Sequence, residues 1–361
     1  MKLQAFVSKA SLLTILLLAL GACGGGQAEG DGKLTILEWS GYEATENPDF
    51  FGPFVEKYGE NFGDKLDYIF FAEDAEAYAK IQTDVAADLV HPCNSWWQLY
   101  VDNGLVQEID TSKLSNWSHV NPALAALGQF DGKQYFVPWD WGYESMLVRT
   151  DLVPEVPTSW ADLWNPQYAG HIALWDSGEA NYAMTALAFG IDPWNSTPEN
   201  DEFIKQKLIE LKPNVLTYWS DYTEAYDLPQ TGDAWIVVNA WQDAYANADS
   251  NGFAVEYVQP SEGRLGWVCG FGISTNTADL DLAYEYIDAS IADSSMAALA
   301  NTYWYGPANT NALADIDPYV VEFMELDQAN SIQERTSFYQ PITEEQRQTR
   351  TGIWDEVKVS Q

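Results

Sequence analysis

In the stretch DLVHPCNSWW, His91 and Cys93 stand two residues apart. A thiol beside an imidazole can serve as the nucleophile and base of a covalent catalyst, or as two ligands of a metal ion. Either chemistry needs a third group. The remaining histidines, His119 and His171, lie far away in the chain with no nitrogen or sulfur at a ligand-like spacing. An enzyme built on Cys93 and His91 is therefore a remote alternative, and neither metal nor cofactor is expected. A second thiol, Cys269, follows Trp267 in EGRLGWVCGFG, a run that reads as a buried strand. No phosphate-binding glycine loop or dinucleotide fingerprint follows any strand, and there is no Gly-x-Ser-x-Gly elbow.

The residue types that stand out are acids and aromatics. There are 54 Asp and Glu against 17 Lys and Arg, for a formal charge of −37. Such a balance excludes nucleic acid and anionic membrane surface as partners. It is compatible with a cationic ligand, although an acidic surface that keeps a protein soluble in a saline habitat looks the same. The chain also carries 16 Trp and 20 Tyr, many of them at predicted strand ends. Indole and phenol faces attract organic cations and also stack on sugars, while core packing accounts for many of them. Asp176 and Glu179, in WDSGEA, sit where a helix begins. Carboxylates there can cap free N–H groups or receive an amine, and the local pattern leaves both open.

These residues need elements to hold them. KLTILEW reads as a strand, NPDFFGPFVEKYGENFG as a helix ending in glycine, KLDYIFF as a second strand and DAEAYAKIQTD as a helix. AADLVHP follows as a third strand and SWWQLYVDNGL as a helix. Alternation of this kind implies an α/β fold with mainly parallel sheets flanked by helices. YFVPWDWGYESMLVRT reads as strands leaving this unit. A second α/β unit runs from SWADLW through GHIALWD and DAWIVVNAW, and GRLGWVCGFGIST returns to the first.

The N-terminus reads MKLQAFVSKASLLTILLLALGAC. Lys2 and Lys9 precede an apolar run from Leu12 to Leu20, and Leu20-Gly21-Ala22-Cys23 fits a lipobox, in which the cysteine is acylated. The run is short of the ~20 apolar residues of a spanning helix. Residues 1–22 are expected to be a lipoprotein signal peptide and 23–33 the lipidated cysteine with a flexible tether. The length beyond them fits two lobes rather than one core.

DTSKLSNW (Asp110–Trp117), DLVHPCNSWW with NGLVQEID, and above all TSWADLWNPQYAGHIAL (Thr158–Leu174) resemble the spermidine/putrescine-binding proteins of ABC importers. The resemblance implies a two-lobed solute receptor of the type II periplasmic-binding-protein fold, with a ligand cleft between the lobes. Lobe one would comprise residues 34–142 and 269–315, and lobe two residues 143–268 and 316–361. It implies a monomeric, exported protein, anchored by lipid at Cys23, that hands a small cationic amine to a membrane permease. A quaternary ammonium compound or a neutral solute such as a sugar is the alternative ligand.

Site residues follow from the resemblance one at a time. Trp39 and Tyr42 in EWSGYE match aromatic positions lining the amine channel, with Ser40 between them. Asp176 and Glu179 match an Asp-x-x-Glu pair that receives an amine. Trp241 and Trp267 match facing indoles, Tyr305 an aromatic on a late loop, and Gln340 a terminal polar contact. Asn94, Ser95, Trp96 and Trp141 complete the expected lining. Two departures matter. The family carries a carboxylate two residues after the second indole, where this chain has Cys269, and a serine where it has Cys93. The family topology sets those two positions side by side, so the resemblance implies a Cys93–Cys269 disulfide across the cleft floor, with two buried free thiols as the alternative. Asp140 and Asp243, and more weakly Glu144, are the candidates to replace the missing acid.

Overall fold

The computed structural model of the chain describes residues 30–83, 85–328 and 335–360. The leader and Cys23 lie outside them. Three strands open the fold: β1 (Leu34–Trp39), β2 (Leu66–Phe71) and β3 (Leu89–Val90). They are parallel, in the order β2-β1-β3. A small hairpin, β4 (Gln129–Phe130) and β5 (Lys133–Gln134), stands apart. The stretch expected to hold several strands is one fourteen-residue strand, β6 (Phe136–Arg149), buried along its whole length. It is buried throughout because it crosses from one lobe to the other and is covered on both faces in each.

The second lobe contributes β7 (Ile172–Trp175), β8 (Val215–Trp219), β9 (Ile236–Ala240) and β10 (Val255–Tyr257). The chain then returns through β11 (Arg264–Ile273), wholly buried like β6, and adds β12 (Gly306–Pro307) and β13 (Thr336–Phe338). The path across the sheet is β2-β1-β3-β11-β6-β9-β7-β8. The outer strands of each lobe run parallel, but β11 and β6 are antiparallel to each other and to β3 and β9 respectively, so the sheet as a whole is mixed. Two crossovers running in opposite directions make that arrangement unavoidable. The result is a two-lobed α/β fold.

Glycines shape the crossovers where no side chain fits. Gly142 of β6 lies opposite Trp267 of β11, and a Cβ there would come within 2.5 Å of the indole. Gly270 sits at the β11 bulge, where a Cβ would meet the Val137 carbonyl at 2.3 Å. The TSWADLW segment is structural. Ser159 and Asp162 form a capping box around the 3-10 helix Trp160–Trp164, and the buried Trp160 donates to the Gly263 carbonyl at 2.8 Å. The C-terminal helix Glu344–Val359 opens on a Thr343/Gln346 capping box and packs Ile353, Trp354 and Val357 onto the second lobe.

Candidate functional site

The carboxyl ends of the parallel strands face one another across a cavity of about 760 Å³. Open parallel sheets place ligands at this end. Trp39 is the last residue of β1 and Phe71 of β2, and Cys93 follows β3. From the second lobe come Trp175, last in β7, Ser220 after β8 and Trp241 after β9. The strand-end position of the aromatics thus becomes a lining.

One end of the cavity is an aromatic box around an acid. Trp267 stands edge-on to Tyr305 with centroids 4.9 Å apart, and Tyr303 lies 5.7 Å from Tyr305. Trp241 meets Trp175 edge-on at 5.3 Å. Asp243, in the first turn of the helix that Trp241 caps, accepts from the Tyr226 hydroxyl at 2.6 Å and from the Ala244 N–H at 2.9 Å. Burial pushes its carboxyl up to about 6, against the pull of Tyr226, Ala244 and Tyr305. Among the described residues no cation is paired with it. Glu144 also lines the cavity, accepts from Tyr339 at 2.8 Å, and is pushed up to about 8 by burial. On the opposite wall burial raises Glu73 and Asp74 to about 7.

The Asp-x-x-Glu pair is arranged differently from its expected role. Asp176 is not part of the lining: it accepts from Trp354 Nε1 at 2.6 Å and from Lys358 Nζ at 3.0 Å. Glu179 does line the cavity, but it is ion-paired to Arg347 at 2.5 Å. The helix start is capped by neither acid but by the Ser177 side chain, which accepts from the Ala180 N–H. Arg347 also donates to the Ser95 carbonyl at 2.9 Å, and its guanidinium lies 3.6 Å from the Trp96 ring centre. The sequence reading missed Arg347. The signal that could have found it is local: a capping box, an apolar face and two arginines three residues apart, in a chain poor in cations.

Beneath the cavity, Cys93 and Cys269 face each other on antiparallel backbone with Cα atoms 3.9 Å apart and are joined in a disulfide. The Cys93 N–H is held by Asp74 at 2.9 Å. The thiol that a nucleophile would need is therefore consumed. His91 is fully buried, with Nδ1 2.5 Å from Glu38 and Nε2 3.6 Å from Asp140. Burial opposes its charge, yet Glu38 and Asp140 hold it up at about 9. Asp140 in turn accepts from Tyr42 at 2.7 Å and lies behind the cavity wall.

Of the other expected residues, Ser40, Tyr42, Ser95 and Trp96 line the cavity. Asn94 does not: it is clasped between the Tyr339 carbonyl at 2.6 Å and the Val268 N–H at 3.2 Å. Trp141 is buried against the Pro307 carbonyl at 3.2 Å, and Gln340 is exposed, whereas its neighbour Tyr339 is in the wall. No cluster of His, Cys, Asp and Glu among the described residues is arranged to hold a metal ion. No helix among them is long and apolar enough to cross a membrane.

The model of the bacterial extracellular solute-binding proteins matches residues 54–321. The spermidine/putrescine-binding periplasmic protein of Escherichia coli (strain K12) is 28% identical over 269 residues, 74% of this chain and 76% of that protein. The putrescine/cadaverine-binding protein of Pseudomonas aeruginosa is 22% identical, over 96% of this chain and 99% of its own. Among solved structures, a spermidine/putrescine ABC transporter substrate-binding protein from Streptococcus pneumoniae superposes with a TM-score of 0.73 at 21% identity, covering 90% of this chain and 98% of that one. The chain belongs to the bacterial extracellular solute-binding proteins, a family of transport receptors rather than an enzyme class, and within it is similar to the spermidine/putrescine-binding proteins.

Proposed function

We propose that this protein captures a cationic amine in the cavity between its lobes and delivers it to an ABC permease. The observation that carries the reading is Asp243, a buried carboxylate inside an aromatic box with no cation paired to it among the described residues. Such a group is costly to ionise until a cation arrives. An ammonium supplies the missing charge, and the faces of Trp241, Trp267 and Tyr305 hold its methylenes and share its charge. A sugar would leave the acid without a counter-charge, so the neutral-solute alternative fits less well. The curated relatives named for polyamines point the same way.

The lobes are proposed to divide at residues 34–142 with 269–315 and 143–268 with 316–361, the crossovers acting as hinges as the lobes close on the ligand. A lipid at Cys23 would confine the receptor near its permease and raise its effective concentration there. It acts as a monomer.

The cavity holds several indoles, so binding is read by tryptophan fluorescence. Putrescine, spermidine and choline are titrated into wild type and Asp243→Asn. Wild type binds at least one amine, and the variant loses about 2 kcal/mol or more of that affinity, the cost of removing one partner of a desolvated charge pair. Equal affinities would remove Asp243 from the ligand site.

A further inference from the structure

We propose that Arg347 is a resident cation that occupies one amine position of the cavity and thereby selects against ligands carrying more charges than a diamine. The inference rests on the amine-receptor reading above. Its basis is the set of partners Arg347 has taken. The guanidinium lies 3.6 Å from the centre of the Trp96 ring, forms an ion pair with Glu179 at 2.5 Å, and donates to the Ser95 carbonyl at 2.9 Å. An aromatic face, a carboxylate and a carbonyl are the three partners an alkylammonium end would seek in a dry cleft. The chain fills them with its own side chain.

Asp176, three residues before Glu179, is likewise engaged, by Lys358 at 3.0 Å. Both arginine and lysine come from the helix Glu344–Val359, so one element neutralises both acids of the pair. Arg347 is 7% exposed, so it is not screened by water. A second cation at this end would meet a like charge in a desolvated site, or would have to break a buried ion pair to enter. The remaining Glu179 oxygen is buried without a hydrogen-bond partner among the described residues, and it can accept from a donor but no longer has a full charge to offer. Asp243 and Glu144 lie elsewhere in the lining, while Glu73 and Asp74, which are within reach of Glu179, are pushed up to about 7 by burial, and Asp74 already accepts from the Cys93 N–H at 2.9 Å. A ligand that needs no further counter-charge suits what remains.

A purely structural latch would look similar, since Arg347 ties Ser95 to Glu179. Selectivity separates the two, because loss of a latch weakens all ligands alike. The test compares putrescine with spermidine by calorimetry on refolded, ligand-stripped protein, as wild type, Arg347→Lys and Arg347→Met, with thermal melts to verify folding. Wild type is expected to bind putrescine at least tenfold more tightly than spermidine. Arg347→Lys keeps that preference, and Arg347→Met shrinks it at least tenfold through gained spermidine affinity. The wild-type comparison stands even if the methionine variant does not fold. A wild type that prefers spermidine, or a methionine variant with an unchanged ratio, overturns the inference and leaves the amine reading intact. Absence of binding of any amine by all three proteins overturns both.

Discussion

At the scale of single residues, the cavity is set by which acids are already engaged. Asp140 and Asp176 carry residue types that fit an amine site, yet their carboxylates are bonded to Tyr42 and to Trp354 with Lys358. Those partners lie 98 to 182 positions away in the chain, so no local pattern could reveal them. Asp243 was legible from its place just after a strand, whereas Glu179 was reached through the family resemblance, since a helix start alone left capping and binding both open. The lining acids that have no ion-pair partner among the described residues carry a pH signature. Burial holds Asp243 at about 6, Glu73 and Asp74 at about 7 and Glu144 at about 8, whereas in an unfolded chain they titrate near 4. The folded, unliganded protein therefore binds more protons than the unfolded one in this window. That contribution to stability is complete below about pH 4 and is lost as pH rises through about 6 to 8. A bound ammonium favours the charged form of Asp243 and drives its proton off. Amine affinity is thus expected to rise as pH passes through about 6 and then level off, with proton release measurable in buffers of different ionisation heat. An affinity flat between about pH 5 and 8 would contradict the placement of the ligand at Asp243.

At the scale of elements, the crossovers do most of the positioning. Trp267 stands where it does because Gly142 of β6 leaves room for its ring, and Cys269 sits two residues on, beside the end of β3. β1 and β2 were readable from short apolar runs, but β3 is only two residues long, and β6 proved continuous where several strands were expected. A buried crossover shows no alternation, so periodicity could not mark its ends. The Cys93–Cys269 disulfide closes a separation of 176 residues and pins β3 to β11. Replacing both cysteines by alanine is expected to lower the unfolding free energy by about 2–5 kcal/mol, read from the denaturant midpoint. An unchanged midpoint would mean that the bond adds nothing to what the sheet already provides.

At the scale of the whole molecule, the charge of −37 and the acid-lined cavity act in the same direction. A strongly negative surface raises the local concentration of small cations, and the effect weakens as salt shortens the screening length from roughly 10 Å at 0.1 M toward 3 Å at 1 M. The two-lobed organisation was legible from chain length and from strand-helix alternation. The C-terminal helix was not, although it brings Arg347 into the cavity and fixes what the second lobe can offer a ligand. Its importance comes from where the fold docks it rather than from its own pattern. The most direct measurement is a calorimetric titration of ligand-stripped protein with putrescine at low and high salt. Micromolar or tighter binding that weakens with salt is the predicted result. No heat from putrescine or any other amine, or an affinity indifferent to salt, would contradict a receptor for cationic amines.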